Sequence, residues 1–265
     1  MNRLCKTEGI VLKSIKLNES DKIVTIFSKN YGKIRVIAKG IRKTRSQFGS
    51  SLENLTQMRI IYYKGRNLDI ANQTVIIRSF FTRCKNLKRY GLAIQCAEFI
   101  DKLLPDGDIN SSVYDLFRDT IILLEDDENP NLLAESFKWK LFTILGYQPN
   151  LDYCVKCHER IKRRKSYFFD ITGGGLICQD CSKNIEQGIK INDYCVRLIK
   201  RILDADLQKI HNKEINNGQL EELIKITDKY ILFHFEIKDK SKYFLSRLKL
   251  MDLQKENTKS KNINL

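Results

Sequence analysis

Cys154-Val-Lys-Cys157 and Cys178-Gln-Asp-Cys181, twenty residues apart, constrain this chain more than any other feature. Two C-x-x-C pairs at that separation have the spacing of a tetrahedral four-thiolate zinc site, each pair supplying half of the clamp. A thioredoxin-like redox pair would need a βαβ pattern nearby, and neither pair has one. Four thiolates also close the coordination sphere, leaving no position for substrate or activated water. The spacing therefore predicts a structural Zn2+ on Cys154, Cys157, Cys178 and Cys181, with the function carried elsewhere. The turn Gly173-Gly174-Gly175 fits a tight return before the second pair, and His158, directly after a ligand, reads as a bystander. The run Arg160-Ile-Lys-Arg-Arg-Lys165 lies between the pairs. It reads either as a solvated loop or as a basic finger for phosphate.

The other cysteines do not cluster. Cys84, Cys96 and Cys195 sit in helix-like apolar patterns and read as ordinary thiols; Cys5 carries no signal. No apolar run approaches the ~20 residues of a membrane span, and the N-terminus lacks a signal-peptide core. No membrane association is expected, and the cytoplasm is the expected compartment. Catalytic signatures are missing as well: there is no P-loop, dinucleotide turn, H-E-x-x-H or G-x-S-x-G. The chain is read as not an enzyme.

A net charge of +15 favours an anionic partner over a merely solvated lysine-rich surface, and its distribution says where. Residues 1–80 hold sixteen Lys/Arg against five Asp/Glu, whereas residues 81–150 hold eight against eleven. The basic end is also the strand-like end. Gly9–Leu17, Lys22–Ser28, Lys33–Lys39, Met58–Tyr63 and Leu68–Phe80 read as five strands, separated by turns such as Asn18-Glu-Ser-Asp21 and Asn30-Tyr-Gly32. In the third, Ile34, Val36 and Ala38 share one face, and Lys33, Arg35 and Lys39 the other. Five such strands suggest a small OB-type β-barrel. Helical spacing follows at Leu87–Leu103, Val113–Leu124 and Leu133–Ile144; after the cysteines it resumes near Leu198–Leu203 and Leu220–His234. Phe244, Leu245, Leu248 and Met251 suggest a closing segment.

The fold class expected is therefore α+β multidomain. It has an N-terminal OB-type β-barrel over 1–80, a helical domain over 81–150 and 191–252, a zinc module inserted at 151–190, and a polar tail at 253–265. A DNA-binding site is expected on the barrel. Lys39, Arg42, Lys43 and Arg45 fall within one flexible loop, the Lys33/Arg35/Lys39 stripe lies beside it, and Phe48 either offers a ring for base stacking or packs inward.

Two stretches then resemble a known family. Glu8-Gly-Ile-Val-Leu, Glu19-Ser-Asp, Gly32-Lys, Ala38-Lys-Gly and Arg45-Ser-Gln-Phe-Gly49 are similar to the N-terminal barrel of the RecO family of bacterial DNA repair proteins. Leu145-Gly-Tyr-Gln-Pro-Asn-Leu-Asp-Tyr-Cys154, Tyr167-Phe-Phe-Asp and Gly174-Gly175 before Cys178 resemble its cysteine-bearing segment. One departure is His158, where glycine is common in the family. The resemblance implies a recombination mediator of the RecF pathway. Such a protein binds single- and double-stranded DNA, anneals complementary strands, and works with RecR and the single-stranded-DNA-binding protein to load RecA. It implies a nucleoid-associated location, and it implies that zinc is not needed by the activity itself, since some members lack the cysteines. The alternative function is a zinc-ribbon adaptor for protein contacts with weak nucleic-acid affinity. For the acidic C-terminal tail of the single-stranded-DNA-binding protein, the helical domain is the expected receptor, through an apolar groove rimmed by cations; Leu198, Ile202, Leu223 and Tyr230 offer such a groove unless they are core, with Lys200, Arg201, Lys225 and Lys229 beside them.

Overall fold

A computed structural model describes residues 3–43, 46–82, 86–183, 188–211 and 213–235. Arg45, Cys84, the closing segment at 244–251 and the polar tail lie outside the described residues. By contact the chain divides into two compact units, one running to Glu125 and the other spanning Asp126–Lys238.

The first unit opens with five strands: β1 (Leu4–Lys16), β2 (Lys22–Ser28), β3 (Gly32–Ala38), β4 (Thr56–Tyr63) and β5 (Asp69–Ser79). Their pairings run β1-β2-β3-β5-β4 and return from β4 to β1. All are antiparallel except β3 with β5, joined through Val36↔Asp69 and Ile37↔Ile70. Alternation supplies the interior. Val24, Ile26, Ile34, Val36, Met58, Ile60 and Tyr62 are buried together, because alternate residues of a strand share a face. β1 starts five residues earlier than its apolar pattern suggested, since Leu4–Thr7 pair with Ile60–Tyr63 of β4. Among the described residues, this unit also holds the helices α1 (Leu87–Leu103) and α2 (Ser111–Leu124). Each starts on an asparagine whose side chain accepts backbone N–H bonds, Asn86 from Lys88 and Arg89, Asn110 from Val113. These caps satisfy donors that a helix start leaves unpaired.

The second unit begins with α3 (Pro130–Ile144), its proline at the first turn, where the missing N–H costs nothing. By contact α1 and α2 group with the strands, and α3 with the elements C-terminal to it. β6 (Ser166–Asp170), β7 (Gly175–Ile177) and β8 (Gly188–Asn192) form an antiparallel sheet in the order β7-β6-β8, which the sequence reading did not anticipate. Around it lie α4 (Gln179–Ser182), α5 (Asp193–Asp204), α6 (Leu207–Ile210) and α7 (Asn217–Phe235). Tyr230 of α7 is the hub. Its ring centroid lies 5.2 Å from that of Trp139, 5.8 Å from Phe142 and 6.1 Å from Phe169 of β6. Its hydroxyl donates to the carbonyl of Tyr147 at 3.0 Å. Leu198, Ile202, Leu223 and Tyr230 are all buried. They therefore do not line the surface groove expected for an acidic tail; an amphipathic helix turns its apolar face to the core, and these four are that face. Among the described residues, no helix is long and apolar enough to cross a membrane.

Candidate metal centre and nucleic-acid interface

Backbone pairing brings the two cysteine pairs together. Asn150 accepts from the N–H of Leu176 at 2.8 Å and donates to Gly174 at 2.9 Å; Val155 donates to Leu176 at 3.0 Å. This stitches the segment before the first pair onto the strand before the second. The approach is close enough that a Cβ on Gly175 would stand 2.3 Å from the Asn150 carbonyl oxygen, so only glycine fits. The first pair sits on a tight reversal in which His158 donates its N–H to Cys154 at 2.9 Å and Cys154 donates to Glu159 at 2.8 Å. His158 makes the turn at φ 61°, the left-handed conformation in which glycine costs least.

The four Sγ atoms all lie within 4.8 Å of one another, and those of Cys157 and Cys178 are 3.6 Å apart. A tetrahedron with metal–sulfur bonds of ~2.3 Å has edges of ~3.8 Å, so the donor set fits a metal ion. Burial pushes the Cys154 thiol up, but the backbone N–H groups of Cys178, Cys157 and Lys156 outweigh it and bring it down to about 6. Cys181, beside Cys178 and Cys157, is pushed up to about 12. Four sulfurs this close cannot all carry negative charge without a cation among them. Cys5, Cys96 and Cys195 are buried in the cores of their units, away from this cluster. Burial pushes the Cys195 thiol up to about 12.

The basic face of the first unit is only partly what alternation predicted. Arg35, Lys39, Arg42 and Lys43 are exposed. Lys33 is not: it retains 4% of its exposure, its ammonium lying 3.5 Å from Asp101 Oδ1 and 3.3 Å from Asp106 Oδ1. It is a structural ion pair and cannot meet a phosphate. Phe48 is also removed from the interface, since it packs into the apolar interior of the sheet and offers no ring to a base. Two turns hold the loop bearing Lys39 to Lys43. Asn18 Oδ1 accepts from the N–H groups of Ser20 and Asp21, and Asp21 Oδ1 accepts from Gly40 N–H at 2.7 Å. That bond, with help from Asn18 and Ser20, holds the Asp21 carboxyl below the usual carboxylate range. Arg42 donates from its backbone to Ser20 and from its guanidinium to the Asn18 carbonyl at 3.0 Å. The cations are thus carried on an anchored loop.

Comparison with known proteins places both parts of the chain in one family. Residues 1–80 match the family model described as "Recombination protein O N terminal", and residues 84–243 match "Recombination protein O C terminal". The chain belongs to the recombination protein O family. The RecO relatives are similar along nearly their whole length. The "DNA repair protein RecO" of Thermoanaerobacter sp. (strain X514) is 31% identical over 250 residues, 94% of this chain and all of that protein. The protein of the same name from Alkaliphilus metalliredigens (strain QYMF) is 32% identical over 88% of this chain and 94% of its own. That of Clostridium acetobutylicum is 31% identical over 86% and 91%.

Two features escaped the sequence reading. Arg66, exposed in the turn between β4 and β5, belongs with the cations of the first unit. The basic turn Lys64-Gly65-Arg66-Asn67 was the available signal. Phe168, 39% exposed on β6, carried none, because its neighbours Tyr167 and Phe169 are buried and the three aromatics look alike in sequence.

Proposed function

We propose that this chain is a non-catalytic DNA-binding and strand-annealing protein of DNA repair and homologous recombination, acting as a RecF-pathway mediator that helps load RecA onto single-stranded DNA. Family membership along nearly the whole chain supports it. The observation that carries it is the row of exposed cations, Arg35, Lys39, Arg42 and Lys43, on a five-stranded sheet. The strand order is that of an OB-type Greek-key barrel, a fold that binds single strands across its second and third strands and the loops joining its first to second and fourth to fifth strands. Annealing needs no bond chemistry. Cations lower the repulsion between two strands, and base pairing supplies the driving force.

The layout proposed with this function is the OB-type domain over 1–80, helical segments over 81–150 and 191–252, and the cysteine module over 151–190. The metal is proposed to be a structural Zn2+ held by Cys154, Cys157, Cys178 and Cys181. It would supply cross-linking and charge neutralisation, while the glycine turn and the backbone bonds position its ligands. RecR, the C-terminal tail of the single-stranded-DNA-binding protein and, through them, RecA are the proposed partners, in a cytoplasmic, nucleoid-associated setting.

The test is a salt titration of binding to single- and double-stranded oligonucleotides, followed by annealing of complementary strands. Affinity that falls steeply with salt, together with accelerated annealing, is the expected result. Negligible DNA affinity with salt-insensitive binding to a protein partner would replace this reading with that of an adaptor.

A further inference from the structure

The second unit carries a cleft of about 280 Å³ beside the cysteine pairs, on the solvent face of the β7-β6-β8 sheet. Its lining includes the Phe168 ring and four cations, Arg160, Lys162, Arg164 and Lys190. Register explains the arrangement. Phe168 of β6 stands opposite Ile177 of β7 and Lys190 of β8. Residues paired across an antiparallel sheet project to the same side, about 5 Å apart. Ile177 is buried, so the floor of the cleft presents one accessible ring with an exposed ammonium directly beside it. Arg160, Lys162 and Arg164 come from the segment between the cysteine pairs, and all three are exposed. Arg164 is oriented at both ends: its N–H donates to the Tyr167 hydroxyl at 3.0 Å, and its guanidinium donates to Gln179. Two carboxylates, Glu159 and Asp180, also line the cleft, and Asp180 is paired with Lys183 at 3.4 Å.

We propose that this cleft is a second contact for single-stranded nucleic acid, in which a base stacks on Phe168 and the flanking phosphates pair with Lys190 and the Arg160–Arg164 segment. It rests on the DNA-binding reading above and adds to it a site on the cysteine module. A lone flat ring bordered by cations suits an unpaired base and its phosphate. An apolar peptide anchor would need an enclosed apolar hollow, whereas polar and charged side chains make up most of this lining. Duplex DNA does not suit the ring either, because its bases are already stacked.

The test uses the full chain and a labelled oligothymidylate. Phe168→Ala is expected to weaken single-strand binding about tenfold and to leave duplex binding unchanged. Phe168→Trp is expected to keep the affinity, and its emission to be quenched when the oligonucleotide is added; the one native tryptophan, Trp139, is buried and gives a constant background. Phe168→Leu, which keeps the apolar bulk without the ring, separates stacking from folding. It should bind as weakly as Phe168→Ala while melting like the parent. If the parent binds single strands but all three variants bind alike and the emission of Phe168→Trp does not move, the cleft is not a site, although the DNA-binding reading stands. If the parent binds no DNA, both fail. Quenching by an acidic, aromatic-ended peptide and not by the oligonucleotide would make the cleft a protein-docking site and overturn the proposal.

Discussion

Lys33 closes the C-terminal end of α1: its ammonium donates to the backbone carbonyl of Asp101 at 2.5 Å, with the Asp101 carboxylate 3.5 Å away. The last carbonyls of a helix lack partners within it and favour positive charge. A lysine from β3 supplies both needs. The strand is fixed there by Gly107, whose N–H donates to the Lys33 carbonyl at 2.9 Å.

Lys33→Ala is accordingly expected to act on stability. Removing Lys33 takes the charged donor from the Asp101 carbonyl, a loss of about 1.5–3 kcal/mol, while the Asp101 and Asp106 carboxylates keep Lys13 and Arg35 as partners. Denaturant unfolding measures this, and the salt slope of DNA binding should not change. A variant as stable as the parent with a flatter slope would return Lys33 to the DNA interface.

Lys39, Arg42 and Lys43 are exposed and are expected to act on binding. Replacing all three with Ala should weaken single-strand affinity and flatten its salt dependence by roughly 0.7 for each phosphate no longer neutralised, about 2 in all. Unfolding should barely shift, because Asp21 still holds the Gly40 N–H. Unchanged affinity and slope would move the primary site away from this loop.

His158 occupies a left-handed position that glycine fills at lower cost. His158→Gly is expected to stabilise the folded protein by roughly 0.5–1 kcal/mol, the relief of backbone strain less the added freedom of the unfolded chain. Denaturation of the metal-loaded protein reads this out. A loss of stability would show that the imidazole itself holds the turn.

The metal itself gives the fourth expectation. Purified, reduced protein should contain about one zinc per chain, and Cys178→Ser should lower that towards none and loosen the module, because thiolate ligation and folding are coupled. Elemental analysis checks both. Reduced parent protein without zinc would show that the cluster serves another purpose.

The sequence by itself determined the local pieces and the family. Spacing identified Cys154, Cys157, Cys178 and Cys181 as one site, because a C-x-x-C pair and a glycine return are local geometry. Alternation identified the strands and the inward set Ile34, Val36 and Ala38, because successive side chains of a strand must point to opposite faces. Tertiary structure decided what lies over each face. Lys33 reads as a surface cation until the end of α1, 68 residues on, covers it. Phe48 reads as a stacking ring until the loop folds it into the interior, while Phe168, unremarked between two buried aromatics, is the ring left outside. Leu198, Ile202, Leu223 and Tyr230 read equally well as groove or core. Periodicity says which residues share a face; only the packing partner, distant in sequence, determines whether that face meets water or protein.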